Sequence, residues 1–70
     1  MSPFFEGPLP ILPPAWEREQ LRLKMGLSIT EAARSISVSR QTFRRWETGA
    51  TPSPLHQRIY HKLLTEWEAA

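Results

Sequence analysis

Two short helical patterns separated by only three residues place the strongest constraint on what this chain folds into. The first pattern follows Ser28, which has the S-x-x-E spacing of a capping box with Glu31. The second follows Ser39, a residue type that caps helices well. The residues between them, 37–39, are too few for anything but a tight turn. Apolar residues recur at helical spacing in both segments: Ile29, Ala32, Ala33 and Ile36 in the first, and Phe43 and Trp46 in the second.

Two further helices flank this pair, and together they predict an all-α fold. Pro14 suits the first turn of a helix, where the donor that proline lacks has no partner, and Gly26 suits a left-handed helix end. Ser53 and Pro54 predict the capped start of a last helix, in which apolar residues recur every four positions. We therefore predict a compact four-helix domain over residues 14–70, with helices at about 14–25, 29–36, 40–48 and 54–68.

The first 13 residues are predicted to form an extended proline-rich arm. Five prolines from Pro3 to Pro14 exclude a helix there. The arm is also apolar, and three interpretations stay open: it packs along its own domain, it docks on a second subunit or partner protein, or it is a polyproline ligand. Its apolar residues are Phe4, Phe5, Leu9, Ile11 and Leu12.

Composition excludes several classes of function. The chain has no cysteine, so it has no disulfide or thiolate metal site, and this fits a reducing cytoplasm. It has no Asp or Asn, which excludes the usual calcium loops. His56 and His61 lie five positions apart, whereas a helical metal pair needs four. No apolar run is long enough to cross a membrane. We predict no enzymatic activity, cofactor, metal or small-molecule ligand.

Positive charge is concentrated in one window rather than spread over the chain. The net charge of the whole chain is only +2. Between Glu17 and Gly49, however, the chain has seven basic residues and four acidic ones, and three of the arginines lie in Arg40–Arg45. Arginine makes the planar, bidentate contacts that phosphate and guanine accept. The window therefore favours nucleic acid, although a solvated helix face has the same composition.

The two central helices have the form of a helix-turn-helix spanning Ser28 to Gly49. Such a motif needs a small residue where the helices approach, which Ala33 supplies, and an apolar plug in the turn, which Val38 supplies. With Phe43 and Trp46 facing inward, the outward residues of the last helix of the motif include the arginines. The predicted core is Leu21, Leu27, Ile29, Ala33, Ile36, Val38, Phe43, Trp46, Leu55, Ile59 and Leu63.

The stretch GLSITEAARSISVSRQTFRRWETG resembles the Cro/CI-type helix-turn-helix of phage repressors and related bacterial regulators. The resemblance covers about residues 21–49 and implies a DNA-binding dimer whose third helix enters the major groove. It also implies a partly buried ion pair between Arg22 and Glu47. The base contacts it implies are Arg40, Gln41, Arg44 and Arg45. The phosphate contacts are Ser28, Thr30, Ser39, Thr42, Thr48 and Gly49.

Three departures from the Cro/CI pattern matter. The residue that opens the second helix is Ile29, where the family often has a phosphate-binding Gln. The turn residue is Ser37, where the family usually has Gly, so a left-handed Ser37 would be strained by about 1–2 kcal/mol. No fifth helix is expected after the fourth, so either the dimer surface lies on helix 4 or the arm, or the protein is a monomer.

These features predict a repressor-like transcriptional regulator of a bacterial or phage-infected cell, cytoplasmic, binding double-stranded DNA as a homodimer. One alternative is a DNA-bending factor similar to excisionase or MerR, in which a strand pair would follow helix 3. Another is an antitoxin-like protein-interaction module with secondary DNA binding.

Overall fold

A computed structural model describes residues 8–70, and over this range the chain is four α-helices without a strand. The helices are α1, Ala15–Lys24; α2, Ile29–Ser35; α3, Arg40–Glu47; and α4, Pro54–Ala69. This confirms the predicted all-α, four-helix class, and each helix lies within one or two residues of its predicted bounds. Residues 1–7 of the predicted arm, including Phe4 and Phe5, lie outside the described residues.

The starts of α2 and α3 follow their sequence signals. The Ser28 hydroxyl accepts the Glu31 N–H at 3.1 Å, and the Glu31 carboxylate accepts the Ser28 N–H at 3.0 Å, which completes the capping box. The Ser39 hydroxyl accepts the Thr42 N–H at 3.1 Å. At α4 the prediction was only partly right, because Ser53 occupies the N-cap position but its hydroxyl bonds His56 instead of the helix backbone. Pro14 likewise lies just before α1 rather than within it.

The first three helices all end on the same backbone motif. In each, a residue with positive φ follows the last turn: Gly26 (70°), Ser37 (56°) and Gly49 (107°). The N–H of the next residue then donates to the carbonyl five positions earlier, at 3.3 Å for Leu27, 3.1 Å for Val38 and 3.0 Å for Ala50. This is the Schellman arrangement, which satisfies carbonyls that the helix leaves unpaired. It reverses the chain after each helix and so sets the tight α2–α3 turn.

The core is built on an aromatic cluster between α3 and α4. The Tyr60 ring lies 5.4 Å from that of Phe43 and 4.9 Å from that of Trp46. Buried around them are Ala32, Ala33, Leu64 and Trp67. The partly buried side chains packed against this cluster are Leu12, Leu21, Leu27, Ile29, Ile36, Val38 and Leu63.

Two residues predicted for the core, Leu55 and Ile59, lie outside it, with 48% and 37% of their surface exposed. The reason is geometric: residues spaced by four drift about 40° around a helix of 3.6 residues per turn. Leu55, Ile59, Leu63 and Trp67 are spaced by four, so they do not stay on one face of α4. Leu63 and Trp67 reach the core, whereas Leu55 and Ile59, nearer the N-terminal end, lie at the surface. Tyr60 and Leu64 fill the core instead.

The described part of the arm, residues 8–13, packs along its own domain. Leu12 packs against the core. The Gln57 side chain donates to the Pro10 carbonyl at 2.9 Å, and Arg18 Nε donates to the Pro13 carbonyl at 2.8 Å. Beside it lies an open cleft of about 370 Å³, lined by Ile11, Leu12, Pro13, Pro14, His61, Leu64, Thr65 and Glu68. Of the interpretations above, packing on the domain is the one observed for this segment.

Candidate nucleic-acid interface

The outer face of α3 is cationic and exposed to solvent. Phe43 and Trp46 turn one face of the helix into the core, where they are 0% and 5% exposed. This leaves the opposite face to solvent. The exposed residues there are Arg40, Gln41, Arg44 and Arg45.

The side chains on this face have no internal partner within residues 8–70. The cations of α1, by contrast, hold the fold together. Arg18 and Arg22 donate to α3 and its neighbours, and Lys24 Nζ donates to the Trp67 carbonyl at 3.1 Å. The contrast shows that the α3 arginines are not needed for internal pairing, so their charges are available to an outside anion.

Glu47, the acidic residue of α3, does not offset these charges, because its side chain points into the fold. Glu47 accepts from Arg22 Nε at 2.7 Å and from Arg22 Nη2 at 3.1 Å, and both side chains are nearly buried. This hydrogen bonding raises the pKa of Arg22. Arg22 also donates to the Leu27 carbonyl at 2.8 Å, so it joins α1, the turn after it and the end of α3. The ion pair implied by the resemblance is thus present in the structure.

The hydroxyls predicted to contact phosphate differ in whether their protons already form a hydrogen bond within the protein. Ser28 and Thr30 are exposed at the start of α2, and the Ser28 hydroxyl is an acceptor in its capping box. At the start of α3, Ser39 donates its proton to the Thr42 hydroxyl at 2.8 Å, which leaves the proton of Thr42 as the outward donor.

The end of α3 is different, because its donors bond internally. The Thr48 hydroxyl and N–H both donate to the Arg45 carbonyl, at 2.8 and 3.1 Å. The Gly49 N–H donates to the Trp46 carbonyl at 3.3 Å. A phosphate near Thr48 or Gly49 would have to replace one of these bonds.

The two histidines do not form a joint site. His56 lies against the Trp46 ring, at 5.9 Å between ring centroids, and its Nδ1 bonds the Ser53 hydroxyl at 2.8 Å. His61 lines the cleft beside the arm. Across residues 8–70 no group of three or more His, Cys, Asp or Glu is placed to hold a metal. Over the same residues, no helix is both long and apolar enough to cross a bilayer.

Comparison with protein families gives a decisive match. A family model described as a helix-turn-helix domain matches residues 18–65, which is most of the chain. The chain belongs to the helix-turn-helix domain family. The match runs from α1 through most of α4, and it does not single out the Cro/CI type. Comparison with curated proteins and with solved structures found no match.

Helix-turn-helix domains are DNA-binding modules in which the second helix of the motif reads the major groove. In this helix-turn-helix protein that helix is α3, the one with the unpaired arginines. The prediction that the exposed residues of α3 contact DNA came from the sequence, and it stays a prediction. What the sequence did not show was the role of Arg18, whose guanidinium bonds the Trp46 carbonyl at 2.8 Å.

Proposed function

We propose that this protein is a sequence-specific transcriptional regulator, repressor-like, that binds duplex DNA with α3 in the major groove. The observation that carries the proposal is the exposed, internally unpaired face of α3. Its base-contacting residues are Arg40, Gln41, Arg44 and Arg45.

Electrostatics supports the same function. Three positive charges lie on one face of an eight-residue helix whose acidic residue is neutralised inside the fold. Like charges this close repel one another in the free protein, and duplex DNA, with a negative charge every ~1.7 Å along its axis, relieves the repulsion. We expect affinity to fall steeply with salt, because the phosphates release counterions on binding.

The side-chain chemistry favours particular bases. Arginine pairs with guanine through O6 and N7, and glutamine pairs with adenine through N6 and N7. We therefore propose a guanine-containing half-site. The proposed phosphate donors are Ser28, Thr30, Ser39, Thr42, Thr48 and Gly49, among which Thr30 and Thr42 should contribute more than Thr48 and Gly49, whose donors bond internally.

Two copies of the chain are proposed to bind an inverted repeat with half-sites about one helical turn apart. The described part of the arm bonds Gln57 and Arg18 of its own chain. α4, by contrast, exposes Leu55 and Ile59 one turn apart. We therefore place the dimer surface on α4 and not on residues 8–14.

Selection of bound duplexes from a random DNA pool at ~0.15 M salt tests the function, because non-specific binding is weak at that salt. We expect an enriched inverted repeat. Arg45→Ala should then reduce discrimination at one or two base pairs by about 1–3 kcal/mol each. Lys62→Ala, which removes an exposed charge from α4, is the matched control and should leave the preference unchanged.

The possible outcomes separate the alternatives. Uniform weakening by Arg45→Ala would mean a phosphate contact, and the absence of any enriched sequence would contradict the proposal. In that case the protein-interaction function is the second candidate, since Ile11 and Trp16 are 90% and 68% exposed. The alternative resembling excisionase or MerR is disfavoured, because Pro54–Ala69 is helical where those domains have a strand pair.

A further inference from the structure

Arg18 joins three parts of the molecule through a single guanidinium. Its Nε donates to the Pro13 carbonyl of the arm at 2.8 Å, and its Nη1 donates to the Trp46 carbonyl of α3 at 2.8 Å. The two acceptors are 33 residues apart in sequence, and Arg18 itself is the fourth residue of α1. The contact is partly buried, so water competes with it less than with a surface bond.

The Trp46 carbonyl belongs to the last turn of α3, where backbone acceptors lack partners within the helix. The same turn carries Arg44 and Arg45. One helical turn beyond Arg18 on α1, Arg22 holds Glu47, the last residue of α3. α1 therefore holds the end of α3 at two points, one through a backbone carbonyl and one through a side chain.

The beginning of α3 is held differently. Its first turn is fixed by Ser39 and by the short turn from α2, and among residues 8–70 no hydrogen bond joins α1 to it. If the Arg18 contact is lost, the last turn of α3 is the part that gains freedom to tilt. A base contact is sensitive to shifts of well under 1 Å, because bidentate hydrogen bonds need both distance and direction.

We propose that Arg18 is a positioning residue for base reading, which sets how the last turn of α3 enters the groove while contacting no base itself. The inference rests on the proposed function and deepens it. In this inference, the discrimination between base pairs by Arg44 and Arg45 depends on Arg18. Discrimination by Arg40 does not.

Arginine is the residue type that this role requires. A planar guanidinium has several donors in a fixed fork and here spans two carbonyls at once. A lysine at the same position keeps the charge but has a single ammonium on a flexible stem. Arg18→Lys is therefore a conservative variant with partial function, and Arg18→Gln removes both the charge and the fork.

The experiment measures binding of wild type and variants to a panel of single-base-pair variants of the selected site. Arg44→Ala and Arg45→Ala first identify the base pairs read by the last turn of α3, and Arg40→Ala identifies those read by the first turn. A bidentate base contact is worth roughly 5- to 150-fold of discrimination. We expect Arg18→Gln to reduce discrimination at the last-turn base pairs by about tenfold and to leave the first-turn base pairs within about twofold. Arg18→Lys should fall between Arg18→Gln and wild type.

Lys24→Gln is the matched control. Lys24 also lies on α1 and also donates to helix-terminal carbonyls, but those of α4, at Trp67 and Glu68. Its loss should leave discrimination unchanged at every base pair. The slope of log affinity against log salt should be the same in wild type and Arg18→Lys, because no phosphate contact is removed.

A purely structural role gives a different result. If Arg18 only stabilises the fold, Arg18→Gln lowers the fraction of folded protein and weakens all duplexes by one common factor, and that result overturns the inference. So does an equal loss of discrimination at first-turn and last-turn base pairs. If wild type shows no sequence preference at all, it is the proposed function that fails, so the two failures are distinguishable.

Discussion

Ser37 holds a backbone conformation that is unfavourable for any residue with a β-carbon. Its φ is 56°, in the left-handed region, at the position where α1 and α3 have Gly26 and Gly49. The left-handed conformation costs an L-residue about 1–2 kcal/mol. Glycine avoids that strain, but it loses roughly 0.5–1 kcal/mol more backbone entropy on folding. The strain is the larger of the two.

We therefore predict that Ser37→Gly raises the free energy of unfolding by about 0.5–1 kcal/mol, measured by urea denaturation. Arg34→Gly is the matched control, because Arg34 is exposed and helical with ordinary φ, so glycine there should destabilise by about as much. A loss of stability in Ser37→Gly would contradict the assigned conformation.

At the scale of an element, the start of α2 depends on the charge of Glu31. Hydrogen bonds from the backbone and side chain of Ser28 lower the pKa of this carboxylate. Since its pKa is lowered on folding, its contribution to stability is fully present above the unfolded value of about 4.5 and is lost as the pH falls through the folded-state pKa. Stability from the capping box should therefore decline only in acid.

The measurement is the difference in unfolding free energy between wild type and Glu31→Gln at pH 7 and at pH 3. Glutamine also fits the second position of a capping box but does not titrate. We expect wild type to be the more stable at pH 7 and the difference to shrink towards zero at pH 3. A difference that does not change with pH would show that the charge of Glu31 plays no part.

At the same scale, sequence patterns correctly predicted the helix ends that depend only on residues close together in the chain. The capping box at Ser28 and the left-handed end at Gly26 are local, so three or four residues suffice to specify them. The error in α4 arose because a row spaced by four residues was assumed to keep one face. Burial of Tyr60 depends instead on where α3 places Phe43 and Trp46, which no pattern within α4 records.

For the molecule as a whole, the contacts that join distant segments were the ones that sequence patterns could not give. Arg18 to Trp46 and Gln57 to Pro10 are both side-chain bonds to backbone carbonyls. Every residue has such a carbonyl, so the residue type at the acceptor position does not indicate the bond. The Arg22–Glu47 pair was predictable only because a family resemblance supplied it. The outward face of α3 followed from helical periodicity, whereas its freedom from internal partners needed the structure.

The proposed dimer is also a property of the whole molecule. We predict that Leu55→Lys combined with Ile59→Lys shifts the protein from dimer to monomer in sedimentation equilibrium, because charge replaces the exposed apolar pair. Affinity for the inverted repeat should fall by roughly 100-fold, because the second copy is no longer held near its half-site by the first. The base preference within each half-site should stay the same. Both positions are substantially exposed, so the fold should persist.

Thr65→Lys combined with Ala69→Lys is the control, since it adds the same charge to other exposed positions of α4. It should leave the sedimentation profile of wild type unchanged. An unaltered dimer in the Leu55 and Ile59 double variant would place the interface elsewhere.

The prolines of the arm have a consequence for how the protein behaves at high concentration. Residues 8–14 expose Leu9 and Ile11 outside any helix, and exposed apolar segments of this kind can recruit further chains by strand addition. Pro8, Pro10, Pro13 and Pro14, however, have no N–H to donate. Strand addition needs a regular row of donors, and four of the seven residues in this segment are prolines that interrupt it. Residues 8–14 therefore leave Leu9 and Ile11 exposed without offering a template for amyloid-like growth.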